Sequence, residues 1–341
     1  RIPQAPDAPR TDALAAAREL SEEMRRDFCL LIPAFDEAEM VPELLASVRE
    51  AFERYSLDGQ VMLVDDGSTD GTGRLAVEAA DGWPNLVVVR HRTNLGKTEA
   101  LLTGAGHTDR SWIVLFDADL QHLPDEIPRF LARAQEGWDM VTGRKVGEYE
   151  KRGVSRIYNS LSRKVFDVPV SDLNSMKAFR REILDGMHLR HDWHRFFVVL
   201  AHAKGWSVSE LDIPLYPRRA GESKFVGPWR VVVGVLDLLS VAFLLRFSRK
   251  PLLFFGTAGA GLLAAGTVVG LGALYVRVVL GTGVRPVLYL VILLITLGAL
   301  LIGVGFLAEL VAQLREEVDA LRRRDPGQIL TPGHPGARTS E

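Results

Sequence analysis

Residues 60–71 read Gln60-Val61-Met62-Leu63-Val64-Asp65-Asp66-Gly67-Ser68-Thr69-Asp70-Gly71, an apolar run that breaks abruptly into acids and turn formers. A short apolar run closed by such a cluster is the pattern of a strand buried on both faces. The segment Thr72 to Ala80 that follows is amphipathic, so the unit is strand, polar turn, helix. The same unit recurs on both sides. Strands are expected at Phe28 to Pro33, Gln60 to Val64, Leu86 to Arg90, Trp112 to Phe116 and Met140 to Thr142, with helices at Val41 to Tyr55, Thr72 to Ala80, Lys97 to His107 and Pro124 to Glu136. This alternation predicts an α/β domain with a mostly parallel, Rossmann-like sheet, in which ligands bind beyond the carboxyl ends of the strands.

Working outward, the chain of 341 residues changes character near its C-terminal side. Two blocks carry no charge, 251–276 and 286–308, and at about 1.5 Å per residue each exceeds the roughly 30 Å hydrocarbon core of a bilayer. With a connection of nine residues, Arg277 to Arg285, they predict a transmembrane hairpin at 251–308. Arg246, Arg249 and Lys250 before it, and Arg315 and Arg322 to Arg324 after it, outnumber the two arginines of the connection. The excess of basic residues on that side predicts an integral membrane protein of the inner (plasma) membrane, bacterial or archaeal in type, with residues 1–250 cytoplasmic. The stretch Trp229 to Phe247 is too short and too charged to span and suits the membrane interface, within an interfacial segment at 228–250. Residues 1–26 have no apolar core of a secretory signal and read as a mobile arm with one short helix. Residues 309–341 read as a charged helix, Glu309 to Arg324, and a disordered tail. The catalytic part is then 27–227.

The formal charge of -2, from 41 basic and 43 acidic side chains, gives no basic excess of the kind a nucleic-acid binder shows. A single cysteine, Cys29, excludes an intrachain disulfide and sits in a strand-like run, as a buried side chain would. His188, His191 and His194 fall at three-residue steps, but no further ligand completes a zinc set.

Acids cluster where the expected strands end. The first strand gives way to Asp36-Glu37, the second to Asp65-Asp66-Gly67-Ser68-Thr69-Asp70, and the fourth to Asp117-Ala118-Asp119-Leu120-Gln121-His122. Carboxylates converging on one rim repel one another unless a cation or donor groups lie between them. Asp117 and Asp119, two residues apart after an apolar strand, have the spacing to hold Mg²⁺ or Mn²⁺, which take oxygen ligands and complete their shell with phosphate and water. Asp65 and Asp66 can accept hydrogen bonds from a ribose or base, whereas Asp70 and Thr72 read as a turn into a helix.

Together with Pro33-Ala34-Phe35-Asp36-Glu37 and Asn94-Leu95-Gly96-Lys97, these motifs resemble the family 2 glycosyltransferases of GT-A fold. Arg219-Ala220-Gly221-Glu222-Ser223-Lys224, followed by an interfacial segment and two spans, is similar to the polyprenyl-phosphate glycosyltransferases, the group of the dolichyl-phosphate mannose synthases. The resemblance implies that Pro33, Ala34, Glu37, Asp65, Asp66 and Lys97 hold the nucleotide of a sugar donor. It implies Asp117, Asp119 and Gln121 around the cation, Lys224 and Arg219 on the diphosphate, and Asp172 near the reaction centre. Arg144, Arg152 and Ser155 would bind the phosphate of an undecaprenyl or dolichyl acceptor, while Lys145, Lys151 and Arg156 read equally well as surface residues. Relatives often place a glycine after the serine that follows this acid; here the run is Asp172-Leu173-Asn174-Ser175-Met176-Lys177. The implied activity is inverting transfer of a sugar from a UDP- or GDP-sugar to polyprenyl phosphate at the bilayer. The alternatives are another lipid acceptor and a membrane scaffold that binds the nucleotide sugar without turnover. Gly266 and Gly270 form a small-residue pair suited either to packing within the hairpin or to a homo-oligomer.

Overall fold

The computed structural model describes residues 7–146, 170, 172, 173, 175–185, 187, 189, 196–216, 251–283 and 285–324. Arg152, Ser155, Arg219, Lys224, His188, His191, His194, the basic helix expected after Arg152, the interfacial segment and the tail from 325 lie outside these residues. The chain forms two compact units, 1–234 and 235–341.

In the first unit the elements are α1 (Asp7–Glu19), α2 (Glu22–Arg26), β1 (Phe28–Ala34), α3 (Val41–Tyr55), β2 (Gln60–Asp65), α4 (Thr72–Ala80), β3 (Leu86–Arg90), α5 (Lys97–Gly106) and β4 (Trp112–Leu115). A 3₁₀ turn at Pro124–Glu126 leads into α6 (Ile127–Gln135), then β5 (Met140–Val146), β6 (Lys177–Arg180), α7 (Glu182–Asp185), α8 (Phe197–Ala203) and β7 (Val208–Pro214). The seven strands are ordered β3-β2-β1-β4-β6-β5-β7. Strands β3, β2, β1 and β4 are parallel, as expected, and β6 enters antiparallel between β4 and β5. The order reverses between β1 and β4, so their carboxyl ends flank the crevice where such sheets take ligands. Both faces of the central strands are covered: Phe28, Leu30 and Ile32 belong to the larger core, and Cys29, Met62, Val64 and Ala100 to the layer under α5. Burial pushes the Cys29 thiol up to about 12, which makes it inert.

Residues 7–26 are not the mobile arm that their composition suggests. Helix α1 packs along α6, with Ala13 and Ala17 buried in the main core, and α2 is capped by Ser21, whose hydroxyl accepts the Met24 N–H at 3.1 Å. Small side chains leave a weak amphipathic signal in sequence while still permitting close helix contact.

In the second unit, α9 (Pro251–Val279) and α10 (Arg285–Arg324) pack as a helical hairpin. Both are long and apolar enough to cross a membrane, and their outward leucines, valines and isoleucines are exposed. A Cβ on Gly259 would stand 2.6 Å from the Gly298 carbonyl, and one on Gly298 2.8 Å from that of Gly259, so the two backbones touch there. Gly266 faces Leu294 and Ile295, and Gly270 faces Val291, which places this pair within the hairpin. The charged stretch after Ala308 is no separate helix. Helix α10 runs through it unbroken for 40 residues, because the charges mark a change of surroundings and contain no helix breaker.

Candidate active site

The turn after β1 is built against the turn after β2. Asp36 adopts a left-handed conformation (φ 50°), and its backbone N–H donates to Ser68 Oγ at 2.9 Å, while its Oδ1 accepts the Thr69 N–H at 2.9 Å. The next two amides, of Glu37 and Ala38, donate to Thr72 Oγ1 and Asp70 Oδ2, each at 2.9 Å. Asp70 also accepts the Thr72 N–H at 3.0 Å, the turn into α4 that the sequence suggested. These bonds fix the backbone from Pro33 to Glu37 with the Glu37 side chain partly exposed.

Asp65 and Asp66 are both buried. Asp65 Oδ1 accepts the Ser68 N–H at 2.9 Å, and Oδ2 lies 3.3 Å from Arg90 Nε without a hydrogen bond. Asp66 does different work: Oδ1 accepts from the Leu95 N–H at 2.9 Å and meets His91 Nδ1 at 2.7 Å, and Oδ2 accepts the Gly96 N–H at 2.8 Å. His91 Nε2 reaches Thr103 Oγ1 at 2.9 Å. One carboxylate thereby holds the loop that launches α5. Gly67 (φ 74°) permits this closeness, since a Cβ there would stand 2.4 Å from the Thr93 backbone.

Lys97, the first residue of α5, forms an ion pair with Asp117 at the end of β4. Burial alone would raise the Asp117 carboxyl, but the Lys97 ammonium, helped by His122 and Lys177, holds it well below the usual carboxylate range. Beyond it, Leu120 is left-handed (φ 50°), and Asp119 Oδ1 accepts the Gln121 N–H at 3.2 Å. The loop is stitched to the end of β7, where the Tyr216 N–H donates to the Gln121 carbonyl at 2.9 Å and His122 Nδ1 lies 3.3 Å from the Pro214 carbonyl. Burial, with the nearby Lys145, holds the His122 imidazole below its ordinary range.

On the other side of the crevice, Arg144 and Lys145 are consecutive on β5 and project oppositely. The Arg144 guanidinium is gripped by both carboxylate oxygens of Asp212 on the neighbouring strand β7. Lys145 Nζ stands 3.8 Å from Asp172 Oδ2. Asp172 is buried and its N–H donates to Glu210 Oε1 at 3.1 Å. Met176 fills the core, and its carbonyl accepts the Gly143 N–H at 2.9 Å. Lys177 is 2% exposed, and its ammonium donates to the Ser175 carbonyl at 2.7 Å. Burial and the nearby Lys97 push that ammonium down to about 7, against the pull of Asp172 and Asp117.

The structure thus gathers Glu37, Asp65, Asp66, Lys97, Asp117, Asp119, Gln121 and Asp172 at the carboxyl ends of β1, β2, β4 and β6's entry, and leaves Arg144 paired with Asp212. Lys177 and His91 were not singled out from sequence, and Lys145, which read equally well as a surface residue, stands beside Asp172. A lysine inside the apolar run Met176 to Phe179 is the signal that could have found Lys177. Among the described residues no three of His, Cys, Asp and Glu gather as a metal cluster. Two carboxylates with a lysine as counter-charge nevertheless suit a hard divalent cation that borrows its remaining ligands from a diphosphate.

The pattern of Glycosyl transferase family 2 matches residues 29–200, half of the chain, and the chain belongs to that family. It is a glycosyltransferase. It is 31% identical over 326 residues, covering 92% of this chain and 95% of the relative, to the undecaprenyl-phosphate 4-deoxy-4-formamido-L-arabinose transferase of Shewanella sediminis. The transferase of that name from Salmonella choleraesuis is 28% identical, with 89% and 93% covered. Among solved structures, glucosyl-3-phosphoglycerate synthase of Mycobacterium tuberculosis with Mg²⁺ and uridine diphosphate shares the fold, at 18% identity and a TM-score of 0.52, over 68% of this chain and 83% of that one. The same enzyme with Mn²⁺, uridine diphosphate and glucosyl-3-phosphoglycerate gives a TM-score of 0.51, over 70% and 86%.

Proposed function

We propose that this glycosyltransferase moves a sugar from a nucleotide-sugar donor to polyprenyl phosphate at a membrane, with inversion at the anomeric carbon and with Mg²⁺ or Mn²⁺. The observation that carries this reading is the match to transferases named for undecaprenyl phosphate over 92% of the chain, a span that takes in both the carboxylate rim and the two membrane-length helices. The catalytic unit would face the cytoplasm, given the basic residues that flank the hairpin on that side.

The turns held by Asp36, Asp65 and Asp70 would form the nucleotide's bed, with Pro33, Ala34 and Glu37 on its wall. Asp117 and Asp119, with Gln121 beside them, would hold the cation, which when bound neutralises charge on the departing diphosphate. Lys97 would take up the same charge. Arg219 and Lys224 would add to it. A phosphate monoester is mostly ionised at neutral pH, with a second pKa of about 6, so the acceptor brings its own nucleophile and needs little help from a base. Lys145, beside Asp172, would meet that phosphate with Arg152 and Ser155; Arg144 would join only by leaving Asp212. Positioning and charge neutralisation then carry catalysis.

The test is transfer of radiolabelled sugar from a panel of UDP- and GDP-sugars to undecaprenyl or dolichyl phosphate by detergent-purified protein, with and without Mg²⁺ or Mn²⁺. Metal-dependent label in the lipid extract from one donor is the expected result. Nucleotide binding without any lipid product would move the reading to another acceptor or to a scaffold.

A further inference from the structure

Lys177 is a buried ammonium without a task in the reaction as drawn so far. It lies on β6 opposite Leu115 of β4 and Thr142 of β5. Because β6 runs antiparallel to β4, continuing the register two residues past its last pair, Leu115 with Lys177, carries Ser175 towards the level of Asp117. The lysine stem covers that rise, roughly 6–7 Å for two strand residues, and its ammonium donates to the Ser175 carbonyl at 2.7 Å. The charge therefore sits at the height of the rim but beneath it. Asp117 with Lys97 stands on one side, and Asp172 with Lys145 on the other.

Nothing in the packing asks for a charge at this position. An apolar side chain of equal length would fill the space without the cost of stripping water from an ammonium. The corner is also short of partners: the hydroxyls of Thr142 and Ser175 are buried and make no hydrogen bond. Polar capacity kept at a cost to stability, where two acids of a reaction site converge, is the pattern of a functional group.

The reaction proposed above is the premise here, and on it we propose that Lys177 is a positioning residue for the transfer, its ammonium, held by the Ser175 carbonyl, setting the electric field beneath the carboxylates of Asp117 and Asp172. It touches neither donor nor acceptor. Its effect is on how the two acids are presented.

The experiment compares full-length wild type, Lys177→Met and Lys177→Arg in detergent for melting temperature, kcat and donor KM. Lys177→Met melts at or above the wild-type temperature, loses about tenfold or more in kcat and keeps donor KM within about threefold, while Lys177→Arg recovers most of the rate. A Met variant as fast as wild type overturns the proposal, and so does an Arg variant as slow as the Met variant. Should the Met variant not fold, Lys177→Gln takes its place in the same comparison. Absence of transfer by the wild-type chain strikes the proposed reaction; wild-type transfer alongside an equally fast Met variant strikes the role of Lys177 alone.

Discussion

The Lys97 ammonium rests on the Asp117 carboxylate, at the point where a divalent cation is expected to sit. A lysine there is a built-in counter-ion, and a cation reaching Asp117 has to displace it. Lys97→Met should therefore tighten Mn²⁺ binding in the absence of nucleotide, by about three- to tenfold, because a competing positive charge is removed. The same variant should turn over more slowly, since in the proposed reaction Lys97 would also neutralise the departing diphosphate. Titration followed by Mn²⁺ paramagnetic resonance reads the first effect; unchanged or weaker binding would sink the counter-ion argument.

Asp119→Ala should abolish transfer and leave the melting temperature near wild type. Its side chain is partly exposed at the rim, and its bond to the Gln121 amide is local to the turn, so the fold tolerates its loss. Near-normal turnover would count against a cation at this rim.

Asp66→Ala has the opposite profile. The substitution strands the Leu95 and Gly96 amides and the His91 ring in a buried place, which costs about 2–4 kcal/mol. Chemical denaturation should report that loss, and hydrogen exchange should show the segment from Thr93 to Lys97 released. Full retention of stability would mean that the loop is held by something else.

On the turn that leads into α6, Glu126 makes the stability of the fold pH-dependent. Burial pushes its carboxyl from 4.5 up to about 7, with Arg129 pulling the other way. Between these values the folded chain keeps a proton that the unfolded chain has released, so stability falls as pH rises through that window and is level above it. The loss is on the order of 3 kcal/mol at most. Glu126→Gln, neutral throughout, should match wild type at pH 4.5 and melt higher at pH 8; parallel melting curves at both pH values would refute this.

Much of the fold can be read from local pattern. The runs at Phe28, Gln60, Leu86 and Trp112 became parallel strands within a residue or two of expectation, because β1, β2 and β4, buried on both faces, leave an unbroken apolar signature and the half-exposed edge strand β3 is marked by its run of three valines. The acids after them fell on one rim, since the parallel connections put all those strand ends on one side. What escaped depended on register. Whether Arg144 or Lys145 meets Asp172 turns on the pleat of β5, and the level of Lys177 follows from the antiparallel entry of β6, which no short window encodes. The packing of α1 was hidden by its alanines, and the length of α10 by a change in polarity that marks where a helix leaves lipid and says nothing of where it ends.

That unbroken α10 has a mechanical meaning. Forty residues make a rod of about 60 Å, roughly twice the hydrocarbon thickness of a bilayer. If lipid grips its apolar part, the charged half cannot choose its own direction: it projects along the same axis as a fixed mast. Whatever is joined beyond Arg324 is carried at a height above the membrane that the helix length dictates, and inserting or deleting a single turn would change that height by about 5 Å while swinging the attachment point only slightly around the axis.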